Sequence, residues 1–140
     1  MKVYFACSVV GGRQDETIYQ AIVRALLADG HQVPTAALAN SDVLLEENVV
    51  QPAEVYRRDI TWIKDCDVLV AEVSTPSHGV GYEISYALGL RKLVICLLRE
   101  GVPVSKMILG NPDPNLEIFT YFTQEDAVQR LRERLNGVRI

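Results

Sequence analysis

The sequence predicts a single α/β domain built on a doubly wound parallel sheet. Apolar strand-like runs alternate with amphipathic helical segments along the whole chain. The runs VLVAEV and LVICLL are apolar at successive positions, so both faces of those strands must be covered by helices. With 140 residues, 49% hydrophobic and 23% charged, the chain can bury one sizeable core without disulfides or metals.

Lys2–Ser8 is a β-branched and aromatic run that stops at the Gly11-Gly12 pair and reads as a buried first strand. From Asp15 to Asp29 the apolar residues Ile18, Ile22, Ala25 and Leu26 recur at helical spacing, and Gly30 stands where a helix stop belongs. Gln32–Thr35 reads as a brief second strand, and the polar stretch Asn40–Gln51 as loop with a fragment of helix. Pro52 suits the first turn of a second helix carrying Val55, Tyr56, Ile60 and Ile63, which ends before Asp67.

Val68–Val73 is the clearest strand. The loop STPSHGVG follows it and leads into a helix of about ten residues, near the mean length. Leu93–Leu98 reads as the fourth strand, and Pro103, Asn111, Pro112, Asp113 and Pro114 mark an irregular connection. Leu116–Phe122 is the last strand, and Thr123 caps a closing helix with a stripe of Ala127, Val128, Leu131 and Leu135. Five strands of this kind predict a flavodoxin-like or Rossmann-like sheet in order 2-1-3-4-5, with ligands bound where the first and third strands adjoin. The Ser8–Arg13 loop and the Ser74–Gly81 loop leave those two strand ends.

Eighteen acidic against 14 basic residues give a net charge of −4, which argues against a nucleic-acid backbone as partner. The three cysteines stand singly in or beside apolar runs and there are two histidines, so a zinc site is not expected. No signal-peptide pattern opens the chain, and no apolar run approaches the roughly 20 residues needed to span a bilayer. A cytoplasmic protein with no membrane partner is expected.

The first loop, C-S-V-V-G-G-R, joins a strand to a helix. It is either a tight turn needing glycine for its geometry or an anion cradle at a helix N-terminus, with Arg13 adding charge. The second, S-T-P-S-H-G-V-G-Y-E, repeats the device on the neighbouring strand. Glu83 falls in the first turn of the next helix, where a carboxylate complements the helix dipole or faces the crevice. Asp59 lies on the edge of an apolar helical stripe, either paired with Arg57 or Arg58 or held as an acid with a raised pKa. Tyr4 is a core residue of the first strand whose hydroxyl needs a partner. Trp62 reads as core or dimer contact. No Ser/His/Asp or Cys/His triad can be read from so few histidines.

Taken together, Y-F-x-C-S-x-x-G-G-R at Tyr4–Arg13, R-D-I-T-W-I at Arg58–Ile63, D-V-L-V-A-E-V at Asp67–Val73 and P-S-x-G-V-G-Y-E at Pro76–Glu83 carry a resemblance over nearly the full length. The chain resembles the 2′-deoxynucleoside 5′-monophosphate N-hydrolases, a branch of the nucleoside 2-deoxyribosyltransferase superfamily. The resemblance implies that Glu83 attacks the anomeric carbon, that Asp59 protonates the departing base and that Tyr4 orients the nucleophile. This is the chemistry of a retaining glycosidase. The implied substrate-binding set is Ser8, Val9, Val10, Gly11, Gly12, Arg13, Tyr19, Ser77 and Gly79, with Ser105, beside Lys106 and Met107, completing the neighbouring site of a homodimer.

Two positions depart from the pattern. Val10 stands where those hydrolases carry an arginine before the Gly-Gly pair, removing one expected phosphate ligand. Near Ala37, where they place a histidine close to the base, there is none. The implied activity is hydrolysis of a nucleoside 5′-monophosphate to free base and sugar 5-phosphate, without metal or redox cofactor. Transfer of the sugar to a second base and nucleotide binding without turnover are the other readings of the same motifs.

Overall fold

The computed structural model describes residues 1–139. Strands β1 (Val3–Ala6), β2 (Val68–Glu72), β3 (Leu93–Arg99) and β4 (Leu116–Tyr121) form one parallel sheet in the order β1-β2-β3-β4. The helices are α1 (Glu16–Ala28), α2 (Val43–Asn48), α3 (Pro52–Asp65), α4 (His78–Gly89), α5 (Lys106–Leu109) and α6 (Gln124–Asn136), with a 3₁₀ turn at Ala36–Ala39.

The two-residue period of the strands sorts the core into two layers. Val3, Phe5, Val68, Val70, Ile95 and Leu97 meet α1 and α6. Tyr4, Leu69, Ala71, Val94 and Cys96 meet Ile63 of α3 and Val80, Ile84 and Ala87 of α4. All three cysteines are buried and free.

Two expectations are corrected. Gln32–Thr35 does not form a strand, so the sheet has four strands and not five in order 2-1-3-4-5. What remains is one parallel bridge between Lys2 and Gln32 on the outer edge of β1. Pro34 has no N–H to donate, and the Phe5 N–H is taken at 2.9 Å by the Thr35 side-chain hydroxyl instead of a backbone carbonyl, so the ladder stops there.

The second correction concerns α4, which starts at His78, inside the expected loop. The Ser77 hydroxyl accepts the Val80 N–H at 3.3 Å and caps the helix. Glu83 therefore sits in the second turn, beyond the reach of a first-turn dipole effect.

Candidate active site

The loops after β1 and β2 meet at Gly11. A Cβ there would lie 2.2 Å from the Pro76 carbonyl oxygen, so only glycine permits the approach. Gly12 holds a φ of +127°, a backbone region that side chains rarely adopt. Beneath them Ser8 is fully buried, and its hydroxyl has no hydrogen-bond partner. Val9 is half-buried, and Val10 is 90% exposed at the loop tip.

Arg13 is engaged in holding the fold. Its Nη1 donates to the carbonyls of Ser8 at 2.9 Å and Leu38 at 3.0 Å, and its Nη2 to that of Asn40 at 3.1 Å. The guanidinium lies over the Tyr19 ring, 5.3 Å from its centroid. Arg13 thus fastens the 3₁₀ turn to the first loop. Tyr19 is fully buried in the α1 layer, where it packs edge-on against Phe5, and the structure does not bring it into the crevice.

The remaining candidates divide between two cavities. The larger, about 510 Å³, is shared by Gly11, Ser77, Ser105 and Met107. Ser105 caps α5 by accepting the Met107 N–H at 3.2 Å, and Lys106 is exposed next to it. The smaller, about 370 Å³, lies between α3 and α4 and is lined by Asp59, Gly79 and Glu83. Tyr82 borders both. The carboxylates, and with them any acid–base chemistry, belong to the smaller one.

Burial pushes the Glu83 carboxyl up to about 8, and the Asp59 charge adds to the rise. The nearby Tyr4 hydroxyl and Arg58 act in the opposite direction. Burial also raises Asp59, against the pull of Arg58, whose Nε donates to its Oδ1 at 2.8 Å. Tyr4 is fully buried in β1, and its hydroxyl completes no hydrogen bond. Burial first, then the Glu83 and Asp59 charges, hold that phenol in its neutral, donating form. With Glu83 raised to about 8 and Asp59 raised as well, a proton is held in this cavity near neutral pH. That is the condition for one to act as nucleophile and the other as acid.

A model of the nucleoside 2-deoxyribosyltransferase family matches residues 3–134. The chain belongs to this family. Among similar proteins is a 5-hydroxymethyl-dUMP N-hydrolase of Esox lucius, 38% identical over 143 residues covering 99% of this chain and 98% of the relative. Another, from Thermofilum pendens, is named a 2′-deoxynucleoside 5′-phosphate N-hydrolase and is 42% identical, covering 98% of this chain and 96% of its own length. A solved CMP N-glycosidase of Clostridium botulinum shares the fold with a TM-score of 0.73 at 23% identity, over 95% of this chain and 99% of that one.

In this member of the nucleoside 2-deoxyribosyltransferase family, the cavity also gathers residues that sequence reasoning passed over. Glu47 comes from α2, within a stretch read mainly as loop, and nothing in its polar neighbourhood distinguishes it. Tyr56 and Tyr82 pack edge to face, ring centroids 6.4 Å apart, at the cavity wall. Arg58 was legible only as one of two partners for Asp59, and the structure chooses it over Arg57. Among the described residues no His/Cys/Asp/Glu cluster could hold a metal ion, and no helix is long and apolar enough to cross a membrane.

Proposed function

We propose that the chain cleaves the N-glycosidic bond of nucleoside 5′-monophosphates, releasing free base and sugar 5-phosphate. The observation that carries this reading is the convergence of Glu83 and Asp59 on one cavity, with the Tyr4 hydroxyl against Glu83. The relatives' names, N-hydrolases of deoxynucleotides, support the same reaction.

In the first step a Glu83 oxygen forms a bond to the anomeric carbon as the bond to the base nitrogen breaks. The released electron pair stays on the base, which takes the Asp59 proton. In the second step water attacks the anomeric carbon, its proton passes to Asp59, and the Glu83 carboxylate leaves. Positive charge developing on the sugar favours ionised Glu83, so the shared proton moves toward Asp59 as the reaction begins. Tyr4 donates to the carboxylate and holds its reactive oxygen in place.

The phosphate is bound at the meeting of the two loops, by backbone N–H groups near Gly11 and Gly12 and by the Ser8 and Ser77 hydroxyls. Ser8, buried with an unpartnered hydroxyl, supports this assignment. With Val10 in the loop and Arg13 held on carbonyls, hydroxyls and backbone carry more of the binding here. A second copy of the chain contributes Ser105 to the neighbouring site. Met107, an apolar residue 84% exposed beside it, supports such a contact.

The test is a panel of deoxy- and ribonucleoside 5′-monophosphates assayed for released base. Release from at least one is expected, and release from none would remove the reading. Light scattering that finds only monomer under turnover conditions would remove the shared site alone.

A further inference from the structure

The cavity holding Asp59 and Glu83 is largely apolar, through Val50, Pro52, Val55 and Ile60, with the phenols of Tyr56 and Tyr82 at its wall; the charged side chains that line it are all carboxylates, Glu47, Asp59 and Glu83. In the hydrolase reading above, on which this inference rests, Asp59 and Glu83 are committed to breaking the bond. Glu47 is left over, and its position is built with care.

Glu47 Oε1 lies 3.1 Å from Nη2 of Arg58, and its side chain is 20% exposed. The same guanidinium donates to Asp59 and lies over the indole of Trp62, 5.0 Å from the ring centroid. A long, flexible side chain on a helix of six residues is thereby held at one oxygen by charge, since Arg58 Nη2 completes no hydrogen bond. The other oxygen is free to accept. Arg58 thus bridges this acceptor to Asp59, and both carboxylates line the same cavity.

No lysine or arginine lines the cavity among the described residues. A base presenting a keto oxygen to Glu47 sets acceptor against acceptor with no donor between them, whereas an amino or hydroxyl group completes the bond. Carboxylates read the amino edge of cytosine in this way in nucleic-acid complexes. We infer that Glu47 is a specificity-determining residue that selects nucleotides whose base carries an exocyclic hydrogen-bond donor over those offering only keto and methyl groups. The donor can be an amino group, as in cytosine, or a hydroxymethyl group on a uracil ring.

The test compares dCMP, 5-hydroxymethyl-dUMP, dUMP and dTMP, first by kcat/KM for base release with the wild-type chain and Glu47→Gln. Equilibrium binding is then measured to Glu83→Gln with and without Glu47→Gln, so that the preference is also read without turnover. A donor-bearing base is expected to be favoured by about tenfold or more, the discrimination that one well-placed base contact provides. The ratio between dCMP and 5-hydroxymethyl-dUMP says which donor Glu47 meets. Glu47→Gln, whose amide can donate to a keto oxygen, should bring the four substrates close together by losing on the donor bases and gaining on dUMP.

Wild-type preference for dUMP or dTMP would overturn the inference. So would a ratio that Glu47→Gln leaves unmoved in both release and binding. If no nucleotide releases base, the hydrolase reading falls, and the binding series alone decides what Glu47 selects.

Discussion

Two pairs of carboxylates stand at the C-terminal edge of the same sheet, on opposite faces, and only one pair is open to a ligand. On the α1 and α6 side, Glu72 is fully buried at the end of β2 and receives the Ser74 hydroxyl, the Ser74 N–H at 3.3 Å and the Tyr121 hydroxyl at 3.2 Å. Its neighbour Asp15 accepts the Thr75 hydroxyl at 2.7 Å and pairs with Arg99. On the α3 and α4 side, Glu83 is only half-buried, faces a cavity, and has beside it a Tyr4 hydroxyl that completes no hydrogen bond.

Both glutamates have raised pKa values, Glu72 to about 7 and Glu83 to about 8, with burial the leading cause in each. Burial and titration therefore do not separate a working carboxylate from a structural one. What separates them is the fate of the surrounding donors. Around Glu72 they are spent on the carboxylate. Beside Glu83 the buried Tyr4 hydroxyl completes no hydrogen bond.

The strongest way to break this contrast is to neutralise each member in turn. Glu83→Gln should lower kcat by at least about a thousandfold while the chain stays folded, because the lost group is the nucleophile. Steady-state kinetics alongside circular dichroism checks this, and near-normal turnover would place Glu83 with Glu72.

Asp59→Asn comes next, with an expected loss of about 10²–10⁴-fold, the range of general acid catalysis. It should also lower the Glu83 midpoint from about 8, since the Asp59 charge helps to raise it. Carboxyl carbon NMR follows that midpoint directly. In the wild-type chain the reactive form is the singly protonated pair, so kcat/KM should fall as pH rises through about 8 and the last proton leaves.

Glu72→Gln should have the smallest effect on rate, leaving kcat near the wild-type value and acting on stability instead. The folded carboxyl titrates near 7 against 4.5 for the free group, so its stabilising contribution is complete below about 4.5 and is lost as pH rises through about 7. Between pH 5 and 8 the wild-type Tm should fall relative to that of Glu72→Gln. Parallel melting curves would contradict the assignment.

Much of this architecture was legible in the chain. VLVAEV and LVICLL announced buried parallel strands, and the loops after the first and third predicted strands do meet, at Gly11 and Pro76. Gln32–Thr35 misled because its residues suit a strand while Pro34 and the Thr35 hydroxyl disable the ladder. SHGVG misled in the other direction, since two glycines suggest a loop but the Ser77 cap pulls them into a helix.

Asp59 stood out as an acid on the edge of an apolar helical stripe, and Glu83 as a carboxylate facing the crevice from the helix after the second loop. Glu47 did not, because its importance comes from an ion pair with Arg58, eleven residues on in another helix, and no local pattern encodes that. Arg13 is a mixed case: its charge suggested a ligand, three backbone carbonyls take its Nη donors, and its buried Nε has no partner.

The central claim, that Glu83 forms a covalent bond to the sugar, is tested most directly by the stereochemistry of the product. With methanol competing as acceptor and a β-nucleotide as substrate, NMR of the methyl glycoside 5-phosphate reports the anomeric outcome. Two displacements through Glu83 predict the β-anomer, with retained configuration. Formation of the α-anomer would mean that the acceptor attacks in a single displacement and would contradict the account.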